Sequence, residues 1–250
     1  MLERLAQFGH RSLAQIARTR TVSAKNPSAI VSFTFDDVPE SAATVGSAIL
    51  AEFGAQGTFY IAGGLCGSMG DGYSFASIAE LKELDRQGHE LGCHTYSHVR
   101  TPALSTDELL CELKLNQELI MTTVGDRPLR DFAYPFGAVS LPRKLTLQQH
   151  FASCRGTSPG LNAGTIDLGL LRAERLYDRL ATKATVLEQL DLAVKMNGWL
   201  IYYTHDVQAA PTEYGVSPEL LRFAVASALE RGIEVLPVRN ALARVAYGGG

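Results

Sequence analysis

The sequence has no run of roughly 18 apolar residues, so nothing in it reads as a membrane-spanning helix. Its first residues carry Glu3, Arg4, His10 and Arg11 where a secretory signal needs an unbroken apolar stretch. The expected location is therefore cytoplasmic or membrane-peripheral. No Cys-x-x-Cys pair occurs. The four cysteines, Cys66, Cys93, Cys111 and Cys154, stand apart, and 250 residues need no disulfide staples. They read as reduced structural thiols. No lysine- and arginine-rich run stands out. With 23 basic against 26 acidic residues the net charge is −3, which lacks the basic footprint that nucleic acid requires. No internal repeat, linker or shift of composition cuts a second domain from the chain.

What is present is ordinary globular composition, 46% hydrophobic and 20% charged. Residues 2–18 read as an amphipathic helix. Leu2, Leu5, Leu13 and Ile16 fall near helical spacing, and Arg4, Arg11 and Arg18 lie on the polar side. Packing on the domain is the plain expectation for it, and weak contact with a membrane surface is the alternative. We take residues 1–28 as a helical extension and 29–245 as the catalytic domain. In that domain Ala29 to Phe35, Gly57 to Ile61, Glu90 to His94, Phe132 to Tyr134, 151–154, Trp199 to Thr204 and Ile233 to Leu236 read as strands. Helical segments lie between them, at 42–53, 78–87, 105–124, 142–150, 182–197 and 217–231. Ser105 with Glu108 makes a capping box. Strands alternating with helices predict an α/β fold of parallel βα units. A single distorted, TIM-like (β/α) barrel of about seven strands is expected, with an open doubly wound sheet as the alternative.

The polar residues cluster at strand ends. Asp36-Asp37 follow one strand, His94 and His98 another, Tyr134-Pro135 a third, and His205-Asp206 a fourth. In a barrel these ends share one mouth, the catalytic face. Side chains of adjacent residues on an extended strand point to opposite sides, so the two aspartates can do two different jobs. His94 and His98 are four apart, which on a helical turn would let both imidazoles reach one cation. The Glu of a His-Glu-x-x-His motif is missing, so a base must come from a strand-end carboxylate. Two histidines and one aspartate leave ligand positions open, the catalytic rather than the structural metal pattern. His205 beside such a site would serve as general acid. His10, His89 and His150 have no comparable setting.

Thr34-Phe35-Asp36-Asp37, His94-Thr95-Tyr96-Ser97-His98, Tyr134-Pro135-Phe136-Gly137 and Tyr203-Thr204-His205 resemble, in order, the motifs of polysaccharide deacetylases with a NodB-type domain (carbohydrate esterase family 4). Gly57-Thr58-Phe59-Tyr60 and Gly88-His89-Glu90-Leu91-Gly92 are similar too. The resemblance covers about residues 29–240. It implies hydrolysis of N-acetyl groups on GlcNAc-type poly- or oligosaccharides with one divalent metal, zinc first and cobalt, nickel or iron as alternatives. It further implies that Asp37, His94 and His98 hold the metal and that Asp36 is the base. By the same resemblance the Tyr134 backbone N–H, with Pro135 beside it, faces the oxyanion, and His205 protonates the leaving amine.

Several residues depart from the family pattern. Val38-Pro39 follow the aspartates where glycine is common. Arg130 does not match the usual arginine before the third motif. Arg175, with Arg172 as its rival, is the expected support for the base. Two other functions are compatible with the motifs: a different amide or cyclic-imide hydrolase on the same scaffold, and a deacetylase of a lipid- or nucleotide-linked sugar in exopolysaccharide synthesis.

Overall fold

The computed structural model of the protein describes residues 13–24, 26–70 and 72–247. Its strands are β1 (Thr21–Ser23), β2 (Ile30–Asp36), β3 (Thr58–Ile61), β4 (Glu90–Cys93), β5 (Asp131–Ala133), β6 (Ser153–Arg155), β7 (Thr165–Asp167), β8 (Glu174–Arg175), β9 (Trp199–Thr204) and β10 (Glu234–Val235). The helices are α1 (Ser47–Glu52), α2 (Ile78–Arg86), α3 (Thr106–Thr123), α4 (Leu141–His150), α5 (Lys183–Met196), α6 (Pro218–Glu230) and α7 (Val238–Tyr247). A π-helical turn, Ala42–Gly46, leads into α1.

The main sheet runs β6-β5-β4-β3-β2-β9-β8, with β10 beside the foot of β2. Every pairing in it is parallel. A bridge between Arg155 and Leu171 joins β6 to the segment entering β8. Leu171 N–H donates to Cys154 O at 2.8 Å, and Gly156 N–H to Leu171 O at 2.9 Å. The fold is a distorted (β/α) barrel. No helix among the described residues is long and apolar enough to cross a membrane.

Period-two alternation sorts the strand residues. Val31, Phe33, Phe35, Phe59, Ile61, Phe132, Cys154, Leu200 and Tyr202 face outward and pack with helix residues such as Leu81, Leu109 and Leu190. Phe35 stacks on Phe59 at 4.7 Å. The inward set is mixed: Ile30, Trp199 and Ile201 form a second apolar cluster, and the rest is largely polar. At the foot of the barrel Thr58 Oγ1 donates to Glu90 Oε2 at 2.8 Å, and Ser153 Oγ donates to Asp131 Oδ1 at 2.5 Å. Above them stand Tyr60 and Arg155, then Asp36. Gly92 has no side chain because the Tyr60 ring fills that space; a Cβ there would lie 2.5 Å from Tyr60 Cδ1.

The expected helix over 2–18 lies mostly outside the described residues; of its end, 13–16 are helical. Leu13 and Ile16, expected to pack, are exposed, and Ala14 is buried. The segment expected to be a helical extension also contributes a strand. β1 pairs antiparallel with β7. The cause is a buried ion pair. Lys144 Nζ lies 2.6 Å from Asp167 Oδ2 and donates to Ala14 O and Ala17 O at 2.8 and 2.6 Å. Asp167 also accepts the Thr19 and Arg20 backbone N–H groups at 3.3 and 3.2 Å. Arg20 Nη1 donates to Gln148 O and Phe151 O at the end of α4, where a cation suits the exposed carbonyls.

His89 lies buried near the foot and accepts the Gly57 N–H on Nδ1 at 3.0 Å, so its ring must be neutral there. Burial, with Arg239 nearby, lowers its pKa to about 4. The unfolded ring titrates near 6.5. The stability that a neutral His89 contributes is thus present above about pH 6.5 and lost as pH falls towards 4. His89→Gln keeps an acceptor without that titration. The gap between urea midpoints at pH 7 and pH 5 should be smaller in this variant than in the wild type.

Candidate active site

β2 ends on Asp36, whose inward face is set by the alternation of the strand. The next two residues leave the extended region. Asp37 has φ 62° and Val38 has φ 55°. Aspartate tolerates this left-handed region, whereas a β-branched valine there is costly, by about 1–2 kcal/mol. The reversal turns Asp37 back towards the mouth, so adjacent aspartates serve the same centre from different directions. Asp36 meets Arg155, and Asp37 meets the histidines.

The expected helical turn over 94–98 is not formed. His94 follows the end of β4, and the loop turns at Thr95 (φ 60°) and His98 (φ 50°). Glu112 of α3 accepts the Tyr96 and Ser97 backbone N–H groups at 2.9 and 2.7 Å and fixes the loop. The two imidazoles still converge, with ring centroids 5.0 Å apart. His94 Nδ1 lies 2.8 Å from Ala133 O. A carbonyl only accepts, so that nitrogen carries the proton and the Nε2 lone pair faces Asp37.

The convergence is tight. Asp37 Oδ1 lies 3.5 Å from His94 Nε2 and 3.2 Å from His98 Nε2. It is buried and accepts no hydrogen bond. Burial, and then the neighbouring Asp36 charge, push its pKa up to about 8. Burial lowers His94 to about 3 and His98 to about 4, so both rings are neutral at neutral pH. Two neutral imidazole nitrogens and a carboxyl oxygen thus face one point, where a bound cation would displace the proton that burial favours on Asp37. Donors about 2.1 Å from a common tetrahedral ion stand about 3.4 Å apart, so this set fits a zinc-like divalent cation. Asp37, His94 and His98 are a group among the described residues able to hold a metal, their ligand atoms within 4.8 Å of one another.

A family model described as polysaccharide deacetylase matches residues 23–150. The chain belongs to that family. A chitin deacetylase of Arthroderma benhamiae is 31% identical over 99 residues, 39% of this chain. The chain spans only a quarter of that relative's length, as the alignment covers 25% of it. Among solved structures, the Bc1960 peptidoglycan N-acetylglucosamine deacetylase is similar at a TM-score of 0.62 and 16% identity, over 88% of this chain and 91% of that one. The Xyl-CE4 domain of a xylanase from a Trinervitermes trinervoides hindgut metagenome gives 0.55 and 18%, over 87% and 91%. A CE4 family pseudoenzyme from Bacillus anthracis gives 0.62 and 15%, over 92% and 71%. At these identities the likeness concerns fold alone, so activity has to be argued from the side chains.

In this member of the family the arginine on Asp36 is Arg155, not Arg175 or Arg172. Arg155 is fully buried on β6 and its Nη2 contacts Asp36 Oδ1. Its guanidinium lies between the Tyr60 and Tyr203 rings, 5.0 Å from each centroid. Arg175 is exposed on β8 and donates from Nε to Tyr203 Oη at 3.1 Å, while Arg172 binds Pro159 O at 2.9 Å. The inward face of β6 carries Arg155 to the carboxylate, whereas Arg175 reaches the Tyr203 hydroxyl and makes no contact with Asp36. Burial raises the Asp36 pKa, but the charge and hydrogen bond of Arg155 outweigh it and hold the carboxyl below its ordinary range.

The Tyr134 N–H also differs from expectation. It donates to Arg155 O at 3.0 Å, continuing the β5–β6 ladder, and is not free for an oxyanion. Its hydroxyl donates to Gly169 O at 3.1 Å. Pro135 has no N–H, so the next donor along the loop is at Phe136, whose φ of 58° aims the peptide differently. His205 is where the sequence placed it. Its Nε2 lies 3.8 Å from Asp37 Oδ2 and its Nδ1 3.3 Å from Tyr214 O. Burial lowers its pKa. Asp206 turns away and shapes the loop carrying Tyr214, accepting Thr212 N–H at 2.9 Å and Thr212 Oγ1 at 2.5 Å.

Removing the Arg155 charge should raise the Asp36 pKa. Arg155→Gln is expected to lower kcat/KM by at least about 100-fold and to move the acidic limb of the pH–rate profile upward. Arg155→Lys, which keeps the charge, should leave that limb nearer the wild type. An unmoved limb in Arg155→Gln would show that Asp36 is not the group titrating.

Proposed function

We propose that the protein hydrolyses N-acetyl groups on N-acetylglucosamine-type poly- or oligosaccharides, with a divalent metal, zinc foremost, held by Asp37, His94 and His98. The observation that carries this reading is the buried, unpartnered Asp37 Oδ1 facing two imidazole nitrogens at 3.2 and 3.5 Å. Membership of the polysaccharide deacetylase family supports it. The bound metal would polarise the amide carbonyl and acidify a water.

The chain's own groups supply the proton transfers. Asp36, ionised through its contact with Arg155, takes the proton of the attacking water. The two tyrosine rings around Arg155 keep that pair dry and fixed. His205 gives a proton from Nε2 to the departing amine nitrogen as the C–N bond breaks. Its Nδ1 is held by Tyr214 O, which fixes the ring and steadies the imidazolium. Burial lowers the ring's pKa and so makes the imidazolium a better acid. Asp36 is held by Arg155 and His205 by Tyr214 O, so the base and the acid are positioned by different partners.

The test is acetate release from chitin oligosaccharides by protein stripped with chelator and then given Zn²⁺ or Co²⁺. Metal should restore the release. Asp36→Asn should keep the metal and lose at least about 100-fold in kcat. His98→Ala should lose the metal itself, measured by elemental analysis of the purified protein. Full activity in the stripped protein, or in Asp36→Asn, would overturn the assignment.

A further inference from the structure

Resting on the deacetylase reading, the geometry points to a subsite for an anionic group on the substrate, a phosphate or a carboxylate, formed by Arg100 on the His98 side of the mouth. Two residues after His98 the chain presents an exposed arginine. Its Cζ sits over the Phe136 ring, 4.5 Å from the centroid. The same ring lies 4.4 Å from that of His98. Phe136 is therefore a spacer between a metal-ligand candidate and a guanidinium. It is 53% exposed, and its left-handed backbone is what brings it to this position.

Arg100 has no carboxylate within ion-pair distance among the described residues. That contrasts with the opposite flank. There Arg179 lies over the Tyr214 ring at 5.3 Å, and Glu213 neutralises it at 3.2 Å. Stacking fixes the plane of the Arg100 guanidinium while leaving its N–H donors unspent. A planar fork of that kind suits the oxygens of phosphate or carboxylate. An unpaired, pre-oriented cation one ring away from the reacting centre gains less from a neutral chitin chain than from an anion. It does select an N-acetyl sugar whose neighbouring position carries negative charge. A phosphate linked to the sugar and a carboxylate on an adjoining residue share this chemistry.

The experiment compares kcat/KM for three substrates of the metal-loaded enzyme at low and high salt. They are a neutral chitin oligosaccharide, an N-acetylglucosamine oligosaccharide carrying a carboxylate, and a phosphate-linked N-acetylglucosamine. At least one anionic substrate should exceed the neutral one by on the order of tenfold, mainly through KM, with the advantage shrinking in salt. The anion that gains more identifies the source. Arg100→Gln should bring the anionic-to-neutral ratio close to one, Arg100→Lys should keep part of it, and Arg179→Gln should leave it in place. An unchanged ratio in Arg100→Gln, or no anionic advantage in the wild type, would overturn the proposal. If no substrate releases acetate, the deacetylase reading fails by itself. Calorimetric titration with the two anionic sugars then decides the subsite alone, through binding that Arg100→Gln removes or leaves intact.

Discussion

The site depends on an ion pair placed where a barrel usually keeps hydrocarbon. Asp36 and Arg155 meet inside the ring, both buried, from strands at different places in the sheet. Charges so placed are expensive unless each has its partner, and losing one partner typically costs about 3–5 kcal/mol. The surroundings are built to hold the pair. Tyr60 and Tyr203 sandwich the guanidinium, and Gly92 leaves room for Tyr60. Closure of the barrel at Arg155 and Leu171 is part of the same arrangement, since the residue that neutralises Asp36 is also the residue at the seam. Fold closure and the charge state of the centre are thus one constraint.

Strain is concentrated at the mouth. Asp37, Val38, Thr95, His98 and Phe136 all adopt positive φ, and each lies in a loop that reaches the centre. Such conformations persist where surrounding contacts over-determine them. Glu112 does this for the histidine loop. At Val38 the buried side chain packs in the outer core, which offsets a backbone position better suited to glycine.

Much of this was legible in the sequence because the signals were long or repeated. Helices α2 to α6 follow from periodicity and caps, and the expected capping box at Ser105 is formed. Asp36, Asp37, His94, His98 and His205 were found because strand ends share one face of a barrel, and the structure brings all five together. β1, β7 and β8 escaped because they are short and polar, Thr21-Val22-Ser23, Thr165-Ile166-Asp167 and Glu174-Arg175 each holding at most one apolar residue. Arg155 escaped because the expected strand over 151–154 stopped one residue short of it. The available signal was alternation: Ser153 and Arg155 share the inward face of β6, and an arginine facing a barrel interior needs an anion. The expected helical turn at 94–98 failed because its spacing is equally compatible with a loop turning twice through left-handed residues.

The buried Lys144 has a bearing on the order in which the molecule can be completed. Its ammonium joins carbonyls at 14 and 17 to a carboxylate at 167, and the hydrogen bonds from Thr19 and Arg20 to that carboxylate span 148 and 147 residues. Contacts of such separation form late, since the loop entropy is lost before they return anything. On a ribosome the segment 14–20 must therefore wait until residue 167 has been made. It docks as the final seal on a barrel assembled from residues made after it.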